Sequence, residues 1–113
     1  MTIFALFIVM ALAANWGFFL DLAGLVAALV IAHNTLALLA GNLMARLFGL
    51  SAYDRRAVTI ETGIQNSGLG LILIFGFFGG LGGMAVVAAL WGIWHAISGI
   101  ALAAWMARTV AAR

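Results

Sequence analysis

Residues 61–69 read Glu-Thr-Gly-Ile-Gln-Asn-Ser-Gly-Leu and place a carboxylate and two amides inside an otherwise apolar segment. A charged side chain at membrane depth is costly unless neighbouring groups compensate it. Gly63 suits a helix C-terminus because glycine readily adopts the left-handed conformation, and Asn66 and Ser67 suit the N-cap of a new helix. The pattern therefore predicts a helix that breaks at roughly residues 62–66.

A break at this point would expose backbone groups of opposite polarity. The first half-helix would end in free carbonyls and the second would begin with free N–H groups. Secondary transporters bind coupling ions and anionic substrates with such half-helices. Glu61 beside Gln65 favours a hard cation such as Na⁺, which prefers oxygen ligands. The alternative is a continuous helix whose small residues allow close packing, with Glu61 hydrogen-bonded to another span.

Composition places this segment in a membrane. The chain has 113 residues, of which 67% are hydrophobic and 7% charged, and its mean hydropathy is +1.26. Soluble domains are far more polar. The absence of cysteine excludes disulfides and thiolate metal sites, and the five arginines are too dispersed for a nucleic-acid surface. We therefore expect an all-α membrane protein.

Four transmembrane helices are predicted, of which the third is discontinuous. Their approximate bounds are residues 2–20, 22–47, 52–78 and 84–107, and together they form a single transmembrane domain. Asn15-Trp16-Gly17 and Asp21 mark the turn between the first two spans, and a glycine-rich turn over residues 79–83 precedes the last. Ser51 and Asp54 form a capping-box pattern at the start of the third span.

The arginines predict the orientation of the spans. The second loop and the C-terminus carry all five of them, whereas the other two loops have no Lys or Arg. The positive-inside rule then places the second loop and both termini in the cytoplasm, in a cell inner membrane. A cleaved signal peptide is a poorer interpretation of the first span because no basic residue precedes it.

Residues 61–69 resemble the bile acid:sodium symporter family, whose broken helix carries the pattern Glu-x-Gly-x-Gln-Asn-Ser-Gly. His33-Asn34 resembles a His-Asn pair that precedes that helix, and residues 94–99 resemble the family's Trp-His-Asn-x-x-Gly. The resemblance implies a fold of ten helices in two inverted repeats, of which this chain matches the last four. The chain would then have a partial inverted-repeat secondary-transporter fold.

The resemblance also implies a metal site for sodium at the break. Glu61 would ligate both sodium ions of the family. Gln65 and the backbone carbonyls of Thr62 and Ile64 would complete one of the two sites. Sodium would be the coupling ion, and no other cofactor is expected.

A substrate cavity is implied beside the sodium site. Asn66, Ser67 and His95 would line it. Ala96 stands where family members often have asparagine, so a substrate contact from that position is lost or different. His33 and Asn34 are expected to form hydrogen bonds between spans. A zinc enzyme built from His33, Glu61 and His95 would need a convergence of side chains that the sequence does not show.

The expected function is the C-terminal portion of a sodium-coupled symporter of organic anions, and not an enzyme. Its partners would be membrane lipid, sodium and a small organic anion, without nucleic acid. The family's other sodium ligands lie in its first repeat, which this chain lacks. Two alternatives stay open. One is a truncated membrane protein that does not transport, and the other is a half-transporter that needs a separately encoded N-terminal half or a second copy.

Overall fold

The computed structural model describes residues 2–111. In chain order its helices are α1 (Thr2–Ala14), α2 (Trp16–Leu47), α3 (Ala52–Gly63), α4 (Ser67–Phe77) and α5 (Gly82–Ala111). The described residues contain no strand, so the predicted all-α class is confirmed. Within residues 2–111, three segments are long and apolar enough to cross a membrane, namely Trp16–Leu47, Ala52–Phe77 and Gly82–Thr109.

Large apolar side chains cover the outside of these helices. Leu29, Leu36 and Ile100 are 59%, 66% and 69% exposed, and many other leucines, isoleucines and phenylalanines are similarly exposed. Water would make such a surface unfavourable, since each apolar side chain left exposed forgoes about 1.5–3 kcal/mol of burial free energy. Lipid tails remove that penalty. The chain is an α-helical membrane protein.

The first predicted turn is shorter than expected. Only Asn15 separates α1 from α2, so the predicted boundaries at residues 20 and 22 are wrong. The Asn15 amide donates to the Ala11 carbonyl, and the Asn15 carbonyl accepts from the Phe19 N–H, so one residue serves both helix ends. Asp21 is exposed within α2 and needs no turn. With 13 residues, α1 is shorter than the roughly 20 that a spanning helix needs.

Two other turns depend on glycines with positive φ. At the end of α2, Gly49 has φ 67°, and the Leu50 N–H returns to the Ala45 carbonyl at 3.0 Å. This closure satisfies a carbonyl of the last helical turn. Gly79 and Gly80 have φ of 60° and 69° and turn the chain after α4. Because these two residues complete the turn, α5 already begins at residue 82, two residues before the predicted start.

The helices fall into two compact units. The first comprises residues 1–31 and 66–93, of which residue 1 lies outside the described part. In it α1 packs against α4, and α5 completes the contact. One cluster of its buried core consists of Ile8, Ala11, Leu71 and Ala89. Small alanines between larger aliphatic residues allow these helices to approach closely.

The second unit comprises residues 32–65 and 94–113, described as far as residue 111. It holds the later part of α2, all of α3 and the later part of α5. A Cβ at Gly41 of α2 would lie 2.8 Å from the Thr62 Cβ and 3.2 Å from the Val58 carbonyl oxygen of α3. Asn42, one residue further on, donates to the Thr59 hydroxyl at 3.2 Å. The α2–α3 crossing therefore requires a glycine at residue 41.

Gly41→Ala should destabilise the protein by about 1–2 kcal/mol. Overpacking costs about 1–3 kcal/mol, and the better helix propensity of alanine returns about 0.5–1 kcal/mol. Gly24→Ala is the matched control because a Cβ there has nothing within 4 Å. Unfolding by sodium dodecyl sulfate titration, followed by circular dichroism, measures both. Equal free energies of unfolding for the two variants would contradict the tight crossing.

Candidate functional site

The start of α3 is capped as predicted. Ser51 is the N-cap residue, and its hydroxyl oxygen accepts from the Asp54 N–H at 3.1 Å. The same hydroxyl donates to the Asp54 carboxylate at 2.6 Å. The carboxylate lies in the first turn, where it complements the helix dipole. Two reciprocal bonds thus fix the residue at which α3 begins.

The third span is discontinuous, which confirms the prediction. α3 ends at Gly63, and the Ile64 N–H donates to the Ile60 carbonyl at 2.9 Å as the last helical bond. α4 begins at Ser67 with Asn66 as its N-cap, whose side-chain oxygen accepts from the Leu69 N–H at 2.9 Å. Residues 64–66 lie between the two helices and belong to neither of them.

Gly63 has a different role from the predicted one. It is the last residue of α3, and it is not among the glycines with positive φ. A Cβ at this position would overlap the tip of the Leu38 side chain from α2 and approach the Leu38 Cγ to 2.8 Å. Gly63 is therefore needed for close packing of α3 on α2, and not for a left-handed turn.

Asn34 of α2 forms hydrogen bonds to both α3 and α5 next to the break. Its side chain is 1% exposed and donates to the Gly63 carbonyl at 2.9 Å. Its side-chain oxygen accepts from the Ser98 hydroxyl of α5 at 2.7 Å. The prediction that Asn34 forms hydrogen bonds between spans is thus confirmed. Ser98 was not predicted, and its only signal was a hydroxyl within the segment that resembles the family's last span.

Backbone carbonyls at and just after the end of α3 remain available. Within residues 2–111, no backbone N–H donates to the carbonyls of Thr62 or Ile64, whereas Asn34 occupies the carbonyl of Gly63. The Thr62 hydroxyl donates to the Val58 carbonyl at 2.7 Å and is thereby committed to its own helix. Free carbonyls at a helix C-terminus carry partial negative charge. They are oxygen ligands for a hard cation.

Glu61 and Gln65 lie on either side of these carbonyls in the sequence, and both are exposed. The second unit therefore carries all four predicted sodium ligands, Glu61, Thr62, Ile64 and Gln65. Among the described residues, no three His, Asp or Glu side chains are grouped so that they could hold a metal ion. A cation at the end of α3 would thus depend largely on backbone and amide oxygens.

The three predicted substrate residues belong to different units. Asn66 and Ser67 belong to the first unit, at the N-terminus of α4, and His95 belongs to the second, on α5. Asn66 is exposed, whereas Ser67 and His95 are each 7% exposed. The Ser67 hydroxyl and the His95 Nδ1 have no hydrogen-bond partner within the described part of the chain. Buried polar atoms of this kind usually have a partner, so both are candidates to contact a ligand.

Comparison with known proteins adds one informative match. Over 86 residues the chain is 38% identical to the uncharacterized sodium-dependent transporter YocS of Bacillus subtilis (strain 168). The match covers 76% of this chain and 26% of that protein, so the chain spans about a quarter of its relative's length. The chain is a multi-pass membrane protein with similarity to a sodium-dependent transporter. No family model matches it, and no solved structure is significantly similar to it.

Proposed function

We propose that this chain forms part of a sodium-coupled symporter of organic anions, similar to the bile acid:sodium symporters. One observation carries the proposal: the third span breaks at residues 64–66, three residues after Glu61 and beside the unbonded carbonyls of Thr62 and Ile64. An interrupted helix at membrane depth is tolerated only where it faces protein or a cavity. The similarity to a sodium-dependent transporter supports sodium as the ion.

The proposed sodium ligands are the Glu61 carboxylate, the Gln65 amide oxygen and the carbonyls of Thr62 and Ile64. The carboxylate supplies the full negative charge that offsets the lost hydration of the ion. The neutral oxygens complete the coordination. Asn34 holds the end of α3 through the intervening Gly63 carbonyl, so the ligands on both sides of that residue keep their positions. Asn34 is thus a positioning residue and not a sodium ligand.

The proposed substrate is a small organic anion near the start of α4. A helix N-terminus presents free N–H groups and a partial positive charge, which favour an anion. Asn66 and Ser67 lie at that N-terminus. Sodium bound at Glu61 would neutralise the acid before the anion enters. Alternating access would then be driven by the sodium gradient and by the membrane potential, at about 2.3 kcal/mol per charge per 100 mV.

Further ligands for sodium and substrate would come from helices that this chain does not contain. They would be supplied by the same polypeptide, by a separately encoded N-terminal half or by a second copy. The proposed location is a cell inner membrane, with the loop between α2 and α3 and the C-terminus in the cytoplasm, since all five arginines lie in or beside these two segments. A cytoplasmic N-terminus, as the four-span prediction has it, requires in addition that α1 crosses the membrane. We propose that the protein transports its substrate without enzymatic chemistry and with sodium as its sole cofactor.

A chimeric transporter tests the proposal without knowledge of the substrate. The 86 matched residues of the B. subtilis relative would be replaced by those of this chain. The thermal unfolding midpoint would then be measured in sodium chloride and in potassium chloride at equal ionic strength. We expect the midpoint to be higher in sodium, because a bound ion at about 100 times its dissociation constant stabilises by about 2.7 kcal/mol.

Two comparisons make this result decisive. The unmodified relative shows whether the surrounding helices respond to sodium at all. A chimera that unfolds cooperatively at the same temperature in both salts, while the relative responds to sodium, would refute the proposed site. Sodium-dependent stabilisation of the 113-residue chain alone would instead favour self-assembly of copies that complete each other's sites.

A further inference from the structure

A pocket in the second unit lies beside the last turns of α2 and α5 and the first turns of α3. Its volume is about 460 Å³. Pockets of about 300–1,000 Å³ hold small organic molecules. None of the residues of the proposed sodium and substrate sites lines it. The pocket is therefore separate, in its lining residues, from the proposed transport site.

One end of the pocket is strongly basic. Three of the chain's five arginines line it, namely Arg46, Arg55 and Arg56. Arg55 and Arg56 are half-buried, and no acidic side chain of the described residues lines the pocket. The neighbouring carboxylate of Asp54 accepts a hydrogen bond from Ser51 instead. Guanidinium groups bind phosphate oxygens in a bidentate manner, so uncompensated arginines favour a phosphate-bearing anion.

The rest of the pocket is apolar and elongated. Along α2 the lining runs from Arg46 back to Thr35, a distance of about 16 Å at 1.5 Å per residue. Leu38 of α2 and Leu102 of α5 line the part away from the arginines. Trp105 lines the pocket from the last part of α5, and tryptophan prefers the membrane–water interface. A free phosphate ion would leave this apolar extension unfilled.

We propose that this pocket binds an anionic phospholipid. The lipid phosphate lies at the three arginines, and the first part of an acyl chain lies along Leu38 and Leu102. Basic pockets between helices at the cytoplasmic side of a membrane are typical sites for such headgroups. The inference does not depend on sodium coupling, because its residues are separate from the proposed transport site.

Quenching of tryptophan fluorescence by brominated lipid tests this site in the intact chain, reconstituted in phosphatidylcholine. Brominated phosphatidylglycerol should quench more strongly than brominated phosphatidylcholine at the same mole fraction. Trp105→Phe should remove the difference between the lipids, because Trp105 lines the pocket. The three other tryptophans supply the remaining signal.

The arginine variants distinguish a site from general surface charge. Arg46→Gln should weaken the relative affinity for phosphatidylglycerol about fivefold, and the Arg55→Gln/Arg56→Gln double variant about 25-fold, at about fivefold per arginine. Arg108→Gln is the matched control. Like Arg46 it lies in the last turn of its helix, but it does not line the pocket. Far-UV circular dichroism verifies that each variant is folded.

Three results would overturn the assignment. The first is equal quenching of the unmodified chain by the two brominated lipids. The second is a loss of preference in Arg108→Gln as large as that in Arg46→Gln, which would indicate a diffuse electrostatic effect. The third is displacement of the lipid by millimolar inorganic phosphate but not by sodium chloride of equal ionic strength, which would indicate a soluble phosphate ligand.

Discussion

Glu61→Gln in the chimeric transporter should abolish the sodium-dependent rise in the thermal unfolding midpoint. The substitution preserves the size of the side chain, and Glu61 is exposed on α3, so the fold should be retained. Glutamine replaces a full negative charge by a dipole, which cannot offset the hydration that a sodium ion loses. The measurement is the difference in midpoint between sodium chloride and potassium chloride, which we expect to fall to zero.

Asp54→Asn provides the matched control for this experiment. It makes the same change from carboxylate to amide on the same helix, but at the exposed first turn. This variant should lose some helix-cap stability and keep its full response to sodium. Gln65→Ala should weaken the sodium affinity less than Glu61→Gln, because it removes one neutral ligand among several. A full sodium response in Glu61→Gln would show that this carboxylate does not bind the ion.

Local hydrogen bonding explains why the broken helix could be predicted from the sequence. Ser51 bonds to Asp54, and Asn66 bonds to Leu69, each over three residues. Such caps depend on residue type and spacing alone. The starts of α3 and of α4 were therefore predictable, whereas the end of α3 at Gly63 was predicted from a left-handed turn that the structure does not have.

Tertiary packing explains what the sequence could not predict. Gly63 and Gly41 are required by Leu38 and Thr62, which contact them across the α2–α3 crossing. Glycine at a helix end suggests a left-handed turn, whereas here it provides space. The predicted turn between the first two helices was wrong for a related reason. The side chain and the carbonyl of Asn15 satisfy the two helix ends, so no longer turn is needed.

The candidate site was likewise only partly predictable. Its proposed ligands are neighbours in the sequence, so their proximity follows from the motif. The group that holds them comes from elsewhere: Asn34 lies 29 residues from Gly63 and 64 residues from Ser98. Periodicity showed only that an amide lay within a span. It did not show which of the carbonyls at the break that amide would occupy.

Asn34→Leu should therefore lower the free energy of unfolding by about 1–3 kcal/mol. Leucine has a similar size but leaves the Gly63 carbonyl and the Ser98 hydroxyl without their partner. Single hydrogen bonds between membrane helices contribute about 0.6 kcal/mol on average and about 1.7 kcal/mol at most. Asn34 forms two bonds and is 1% exposed, so water cannot replace it. Titration with sodium dodecyl sulfate, followed by circular dichroism, measures the loss.

Two further variants separate this effect from a general cost of replacing an amide. Asn42→Leu removes one longer hydrogen bond, of 3.2 Å, from a half-buried residue of the same helix. It should lower the free energy of unfolding by less than about 1 kcal/mol, the value of a single bond. In a Ser98→Ala background, Asn34→Leu should cost less than in the unmodified chain, because one of its two partners is already gone. Strict additivity, or an equal loss in Asn42→Leu, would contradict the role of Asn34 as the residue that joins α5 to the end of α3. If both expectations hold, the same Asn34→Leu change should also weaken sodium binding in the chimera, since the carbonyls beside Gly63 would no longer be held in place.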